Sequence, residues 1–234
     1  MKRRRETITP ARVEIDTRFV HVEPVLDRAE AAARRRALSD AEALLAQAAA
    51  MSAVLFGCTA MVPPALARRL SRTSVELARA YVEAGDHDLA ISAAGDALQQ
   101  LTGLLRMHPA DRELHSDRAD ALQVLSSAHR RAGHYEQAIR GFEAAIGIRR
   151  TLMTAGNSSS GAAGLAYCLQ ELGECFAGEG QVPSALGALG TAMRHWNTAA
   201  ATDRSFQAQA AACRARLGEL ERSLTGRRDE LTRS

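Results

Sequence analysis

Three stretches of this chain carry matching text at nearly equal intervals. They read LARAYVEAGDHDLAISAAGDAL from Leu77, LSSAHRRAGHYEQAIRGFEAAI from Leu125 and LGECFAGEGQVPSALGALGTAM from Leu172. Each is a periodic apolar segment, a glycine, and a second periodic segment with an alanine just inside it. Those alanines, Ala90, Ala138 and Ala185, stand 48 and 47 residues apart. A period of this size leaves few folds open. Each unit is one supersecondary element that cannot bury its apolar face alone, so neighbours must stack into a continuous core.

The composition decides what the element is. Hydrophobic residues make up 46% of the 234, but aromatics only 4%, with alanine and leucine carrying most of the apolar content. These residues head the helix scale and strand formers are few, so each unit reads as two helices joined by a tight turn. Gly85, Gly133 and Gly180 supply the left-handed caps. A small residue (Ala78, Ser126, Gly173) lets the paired helices approach. A bulkier one a turn later (Tyr81, His129, Phe176) fills the space between pairs. The second helices carry Gly95, Gly103, Gly141, Gly147, Gly187 and Gly190, each costing about 1 kcal/mol of helix propensity unless close packing compensates.

These positions resemble the tetratricopeptide pattern W-x2-L-G-x2-Y…A-x3-F. The third unit matches with Leu169, Leu172, Gly173, Phe176, Ala185 and Leu189. The second gives Leu122, Leu125, Ser126, His129, Ala138 and Phe142, and the first Ser74, Leu77, Ala78, Tyr81, Ala90 and Ala94. The period exceeds the usual 34 residues, and Thr102, Arg150 and Asn197 replace the closing proline. Both departures look like the long-period bacterial arrays of regulatory and scaffold proteins. The resemblance implies an all-α, right-handed solenoid of antiparallel helix pairs with a C-terminal capping helix.

The flanks extend the pattern. Residues 1–24 read as an N-terminal arm, mobile or strand-like, because Val13, Ile15, Phe19, Val20 and Val22 alternate with polar residues up to Pro24. Residues 25–70 read as a degenerate unit, its first helix from about Val25 to Arg36 and its second placed by Ala43, 47 residues before Ala90. Residues 71–200 hold the three full pairs. Residues 201–226 form the cap, with Phe206, Ala210, Cys213, Leu217, Leu220 and Leu224 as a narrow apolar stripe, and 227–234 a tail. A coiled-coil seam is the alternative for that stripe, although sustained heptads are missing. The loop TAGNSSSG from Thr154 is expected to be flexible.

No enzyme site announces itself. HExxH, GxxxxGK, GxGxxG and GxSxG are all missing, and the seven histidines are scattered without paired ligands. Cys58, Cys168, Cys175 and Cys213 form no CxxC, and Cys168 and Cys175, seven apart, suit buried thiols on one helix face. No catalytic residue, metal or cofactor is therefore expected. Lys2 is the only lysine among 30 basic residues and the net charge is +3. That reads as the codon bias of a GC-rich genome rather than a polyanion-binding stripe, so nucleic acid is not an expected partner. Met1 to Arg5 lacks a following apolar run, and the stretch from Ala48 to Leu66 is broken by Ser52, Gly57 and Pro63-Pro64. No membrane span and a cytoplasmic location are expected.

By resemblance, function lies on a concave face lined by the first helix of each pair. That face would present Arg72, Val75, Glu76, Arg79 and Glu83 from the first unit. The second would add Asp120, Gln123, Val124, Ser127, Arg130 and Arg131, and the third Tyr167, Gln170, Glu171 and Glu174. Arg72, Arg79, Gln123, Arg130, Tyr167, Gln170 and Glu174 are the candidate partner-binding residues, since arginine and tyrosine make good interface anchors. The lysine and asparagine clamp for chaperone-tail carboxylates is replaced by Val75, Arg79, Val124, Tyr167 and Glu171. The expected function is a non-catalytic interaction scaffold or adaptor holding a partner peptide or helix, with self-association left open. The alternative is a regulatory sensor whose array binds a small peptide or metabolite.

Overall fold

The computed structural model describes residues 19–56, 62–154 and 159–231. Every described element is helical: α1 (Phe19–Arg34), α2 (Leu38–Phe56), α3 (Pro64–Ala84), α4 (His87–Met107), α5 (Arg112–Arg131), α6 (Tyr135–Thr154), α7 (Ser159–Gly178), α8 (Val182–Thr202) and, after a 3₁₀ turn at Arg204–Phe206, α9 (Gln207–Leu231). Helices 1 to 8 pack as consecutive antiparallel pairs and α9 closes the end against α8. The first helices α1, α3, α5 and α7 also pack against one another, whereas successive second helices do not to the same extent. The first helices therefore follow the shorter arc and form the concave side.

The turns repeat as the glycines predict. Gly85, Gly133 and Gly180 have φ of 92°, 81° and 75°. The next residue in each turn donates its backbone N–H to the carbonyl five residues earlier: Asp86 to Tyr81, His134 to His129 and Gln181 to Phe176. This is the Schellman arrangement that satisfies helix-end carbonyls. A fourth copy, Ala37 to Ala32 at 3.0 Å, joins α1 to α2, with Arg36 at φ 59° where the others have glycine. Arg36 lies 49 residues before Gly85, and the buried Ala41 lies 49 before Ala90. The α1–α2 turn thus repeats the later ones with a step of 49 rather than 47, and Ala41 rather than Ala43 takes the place of Ala90. Ala29 and Ala32 then replace Ala78 and Tyr81, explaining why the sequence disguises it.

Three boundaries differ from expectation. α1 starts at Phe19, so part of the expected arm is helical, and Val22 and Leu26 are completely buried. Pro24 removes one N–H, whose acceptor would be the carbonyl of Val20, an exposed residue in the first turn of the helix. α3 starts at Pro64, so the boundary expected at residue 70 falls inside a helix; a proline at the first helical position is already shaped for it. α9 runs to Leu231, past the boundary at residue 226. The arm's residues 1–18 and residues 155–158 of the TAGNSSSG loop lie outside the described residues.

The second helices carry the centre of the core, with Ala90, Ala94 and Ala97 in one buried cluster and Ala138, Phe142, Ala145, Ala185, Leu189 and Ala192 in the next, all fully buried. Close approach is enforced locally: a Cβ on Gly141 would stand 2.1 Å from Ser126 Oγ, and one on Gly173 2.8 Å from Leu189 Cγ. The other five second-helix glycines face open space, so packing explains only Gly141. At the C-terminal end, Ala210, Cys213 and Leu220 are buried, which spends the α9 stripe inside the fold. At the other end, α2 differs. Over Leu38–Leu55 its mean hydropathy of 1.2 makes it long and apolar enough to cross a membrane, yet only 17% of that stretch is buried. The broken stretch from Ala48 to Leu66 had concealed this, because the helix begins ten residues earlier.

Candidate functional site on the concave face

The concave face is held together by arginine–carboxylate pairs that step from each first helix to the next. Arg69 of α3 donates to Glu30 of α1 at 2.7 Å and also bonds Asp27. Arg68 of α3 bonds Glu113 and Asp117 of α5. Arg130 of α5 donates to Glu171 of α7 at 2.8 Å. Arg216 of α9 grips Glu174 of α7 through Nε and Nη2 at 2.8 and 2.9 Å. Burial decides their weight. Asp117 and Glu171 side chains are only 7% and 11% exposed, and an ion stranded there would cost several kcal/mol, unlike an exposed pair worth about 0–1 kcal/mol.

This ladder sorts the candidate residues. Arg130 and Glu174 are committed to it. Gln123 turns inward, accepting from Arg149 of α6 at 2.7 Å, and Gln170 accepts from Trp196 Nε1 of α8 at 2.9 Å. Trp196 is 4% exposed and its ring centroid lies 5.9 Å from that of Phe206, so it is core. Tyr167 is half-buried and shares a hydrogen bond with Ser127; burial, then Glu171, pushes its phenol pKa up. Val75, Val124, Ser127 and Glu171, also expected on this face, are buried. Arg72 and Arg79 alone among the seven keep substantial access, with side chains 64% and 44% exposed.

Around those two arginines the face opens into a cleft between α3 and α5. It encloses about 350 Å³ of space, open solvent included, and is lined by Arg72, Val75, Glu76, Arg79, Leu101, Asp117 and Asp120. Val75 and Leu101 make an apolar floor, 5% and 0% exposed. Asp120 is held from behind: Arg149 Nη2 donates to its Oδ1 at 2.7 Å. The Arg149 guanidinium crosses α7 at Gly164, where a Cβ would stand 2.3 Å from Nη1, and lies beside Cys168.

The same architecture occurs in solved structures. The apo form of RapI superposes with a TM-score of 0.67 at 13% identity, over 92% of this chain and 52% of RapI. BtubC (BKLC) from P. vanneervenii gives 0.54 at 18% identity, over 89% of this chain and 83% of that one. The nearly identical TPR-like repeats of a kinesin light chain from Podosopora anserina give 0.52 at 17% identity, over 94% and 100%. The chain has the tetratricopeptide-type repeat fold. It spans about half the length of the RapI chain. No family model and no curated protein sequence matches it, so the likeness rests on structure.

Within this tetratricopeptide-type array, sequence reasoning missed Arg68, Arg69, Glu113, Asp117, Arg149 and Arg216. A signal was available. The ladder partners lie 39 to 49 residues apart, close to one repeat, so opposite charges roughly one period apart mark rungs. The thiols carry no reactive signature. Burial pushes Cys168 up to about 11 and Cys175 to about 12, and Cys213 also upward. No group of three His, Cys, Asp or Glu side chains among the described residues could hold a metal.

Proposed function

We propose that this array is a non-catalytic interaction scaffold whose partner, a segment of another protein, seats in the concave cleft between α3 and α5. One observation carries the reading: the ladder consumes most of the concave charge, and the cleft is where accessible arginines stand over an apolar floor. Rigid helices flank it, and a buried apolar centre with a polar rim is the anatomy of a binding hot spot. The cleft is partly open to solvent, which favours a passing chain segment over the sensor alternative with its sequestered metabolite. Charges of both signs line it, which favours protein over nucleic acid. Three cysteines buried as free thiols suit the reducing cytoplasm.

The test is photo-crosslinking from Glu76, exposed at the cleft, against a control position at Arg222, exposed on α9. A partner crosslinked from Glu76 but not Arg222, and lost on Arg72→Glu plus Arg79→Glu, is the expected result. A partner caught only from Arg222, or insensitive to the charge reversals, would contradict the assignment.

A further inference from the structure

We infer that the α3–α5 cleft is a charge clamp with two unlike walls, built for a peptide segment that carries an acidic and a basic side chain close together. The inference rests on reading this cleft as the partner surface, and adds what the partner must look like.

The α3 wall donates. Arg72 and Arg79 are two helical turns apart, about 10.5 Å along the axis. Arg72 Nε stands 3.7 Å from Asp117 Oδ1, beyond hydrogen-bonding reach, and its guanidinium makes no hydrogen bond among the described residues. Arg79 bonds only Glu76, one turn away at 3.1 Å, in an exposed pair. Such a pair is worth little, so an incoming carboxylate exchanges for it at small cost. Planar guanidiniums suit carboxylates through paired N–H donors.

The α5 wall accepts. Asp120 is 43% exposed, and Arg149 occupies its Oδ1 from the far side. Its Oδ2 has no partner among the described residues and can accept from an ammonium or guanidinium in the cleft. Asp117 cannot do the same, because it is 7% exposed and bound by Arg68. Arg149 is 11% exposed and fixes Asp120 through a rigid, largely buried contact. The carboxylate is thereby aimed without rotamer search, which lowers the ordering cost of binding. A purely acidic segment would meet Asp120 and Glu76, and a purely basic one Arg72 and Arg79. Like charges at close range reject both.

The test is panning of a random peptide display library against the full chain and two variants, Asp120→Asn and Arg72→Gln plus Arg79→Gln, each checked for unchanged thermal unfolding. The wild-type pool should be enriched in peptides with an acidic and a basic residue a few positions apart. Asp120→Asn should lose the basic preference alone and the arginine double variant the acidic preference alone. Individual binders should weaken about tenfold for each lost charge-assisted contact. A pool enriched in one sign only, or preferences that survive the substitutions, would overturn the clamp. A charge-blind pool that stops binding when Glu76→Trp fills the cleft overturns the clamp and leaves the groove reading standing. A pool indifferent to Glu76→Trp, or no enrichment at all, counts against both.

Discussion

Arg79 on α3 and Arg130 on α5 sit on the first helices of neighbouring units and face the same concave side, yet one is available and the other is not. Arg79 is 44% exposed and pairs within its own helix, while Arg130 is 23% exposed and reaches across to Glu171 on α7. The cause lies one period away. Val82 stands 48 residues before Arg130 and Val124 stands 47 before Glu171, and both valines are buried. The α3–α5 junction therefore lacks the rung that closes α5–α7, and the cleft opens beyond the Arg68–Asp117 rung. The lesson is that a groove residue's availability is set by what the next unit offers it.

The comparison breaks most visibly in stability. Arg130→Ala strands Glu171 in a nearly buried site, and should cost about 2–3 kcal/mol. Denaturant unfolding checks this, and Arg130→Leu with Glu171→Leu should recover much of the loss. Gly164→Ala comes next. The new methyl displaces Arg149 Nη1, and the loss of its bonds to Asp120 and Gln123 outweighs the gain in helix propensity by about 1 kcal/mol. Thermal melts of the two variants show whether the supporting side of the cleft is as rigid as claimed.

A smaller effect is expected from pH. Burial, then His134 and Arg140, hold the His129 pKa below its ordinary value, and burial with Arg150 and Arg194 does so for His195. The unfolded chain then binds protons first as pH falls below about 6.5, so stability declines on acidification through that value. Melting temperatures at neutral and mildly acidic pH should show this slope, and His129→Gln should flatten it. The smallest change belongs to Arg72→Ala and Arg79→Ala, each within about 0.5 kcal/mol of wild type, because Arg79 pairs only with the exposed Glu76, and the buried Asp117 that Arg72 approaches at 3.7 Å keeps its bond to Arg68. A larger loss from either would mean the cleft arginines are structural after all.

Much of the fold was legible in the sequence. The period placed Ala90, Ala138 and Ala185 in the core, the glycines marked three left-handed turns, and the Leu217–Leu220 stripe marked the cap. Two things hid the first unit: Arg36 replaces its glycine, and alanines replace its bulky residues, so only backbone geometry reveals the 49-residue step. The start of α1 was obscured because alternation from Phe19 to Val22 imitates a strand over too few residues to show a helical period. The site was far less legible. Whether Gln170 faces a partner or Trp196, and whether Arg130 is free or bound to Glu171, depends on side chains 26 and 41 residues away. A helix face read by itself does not contain that information.

The most direct test of the central claim is to measure partner binding and unfolding together for two variants, Arg72→Gln plus Arg79→Gln and Arg130→Gln. The account predicts a clean exchange: the first loses the partner at an unchanged melting temperature, and the second keeps the partner while melting earlier. Partner loss with Arg130→Gln while the Arg72/Arg79 variant still binds would contradict it, and would move the binding surface to the α5–α7 junction.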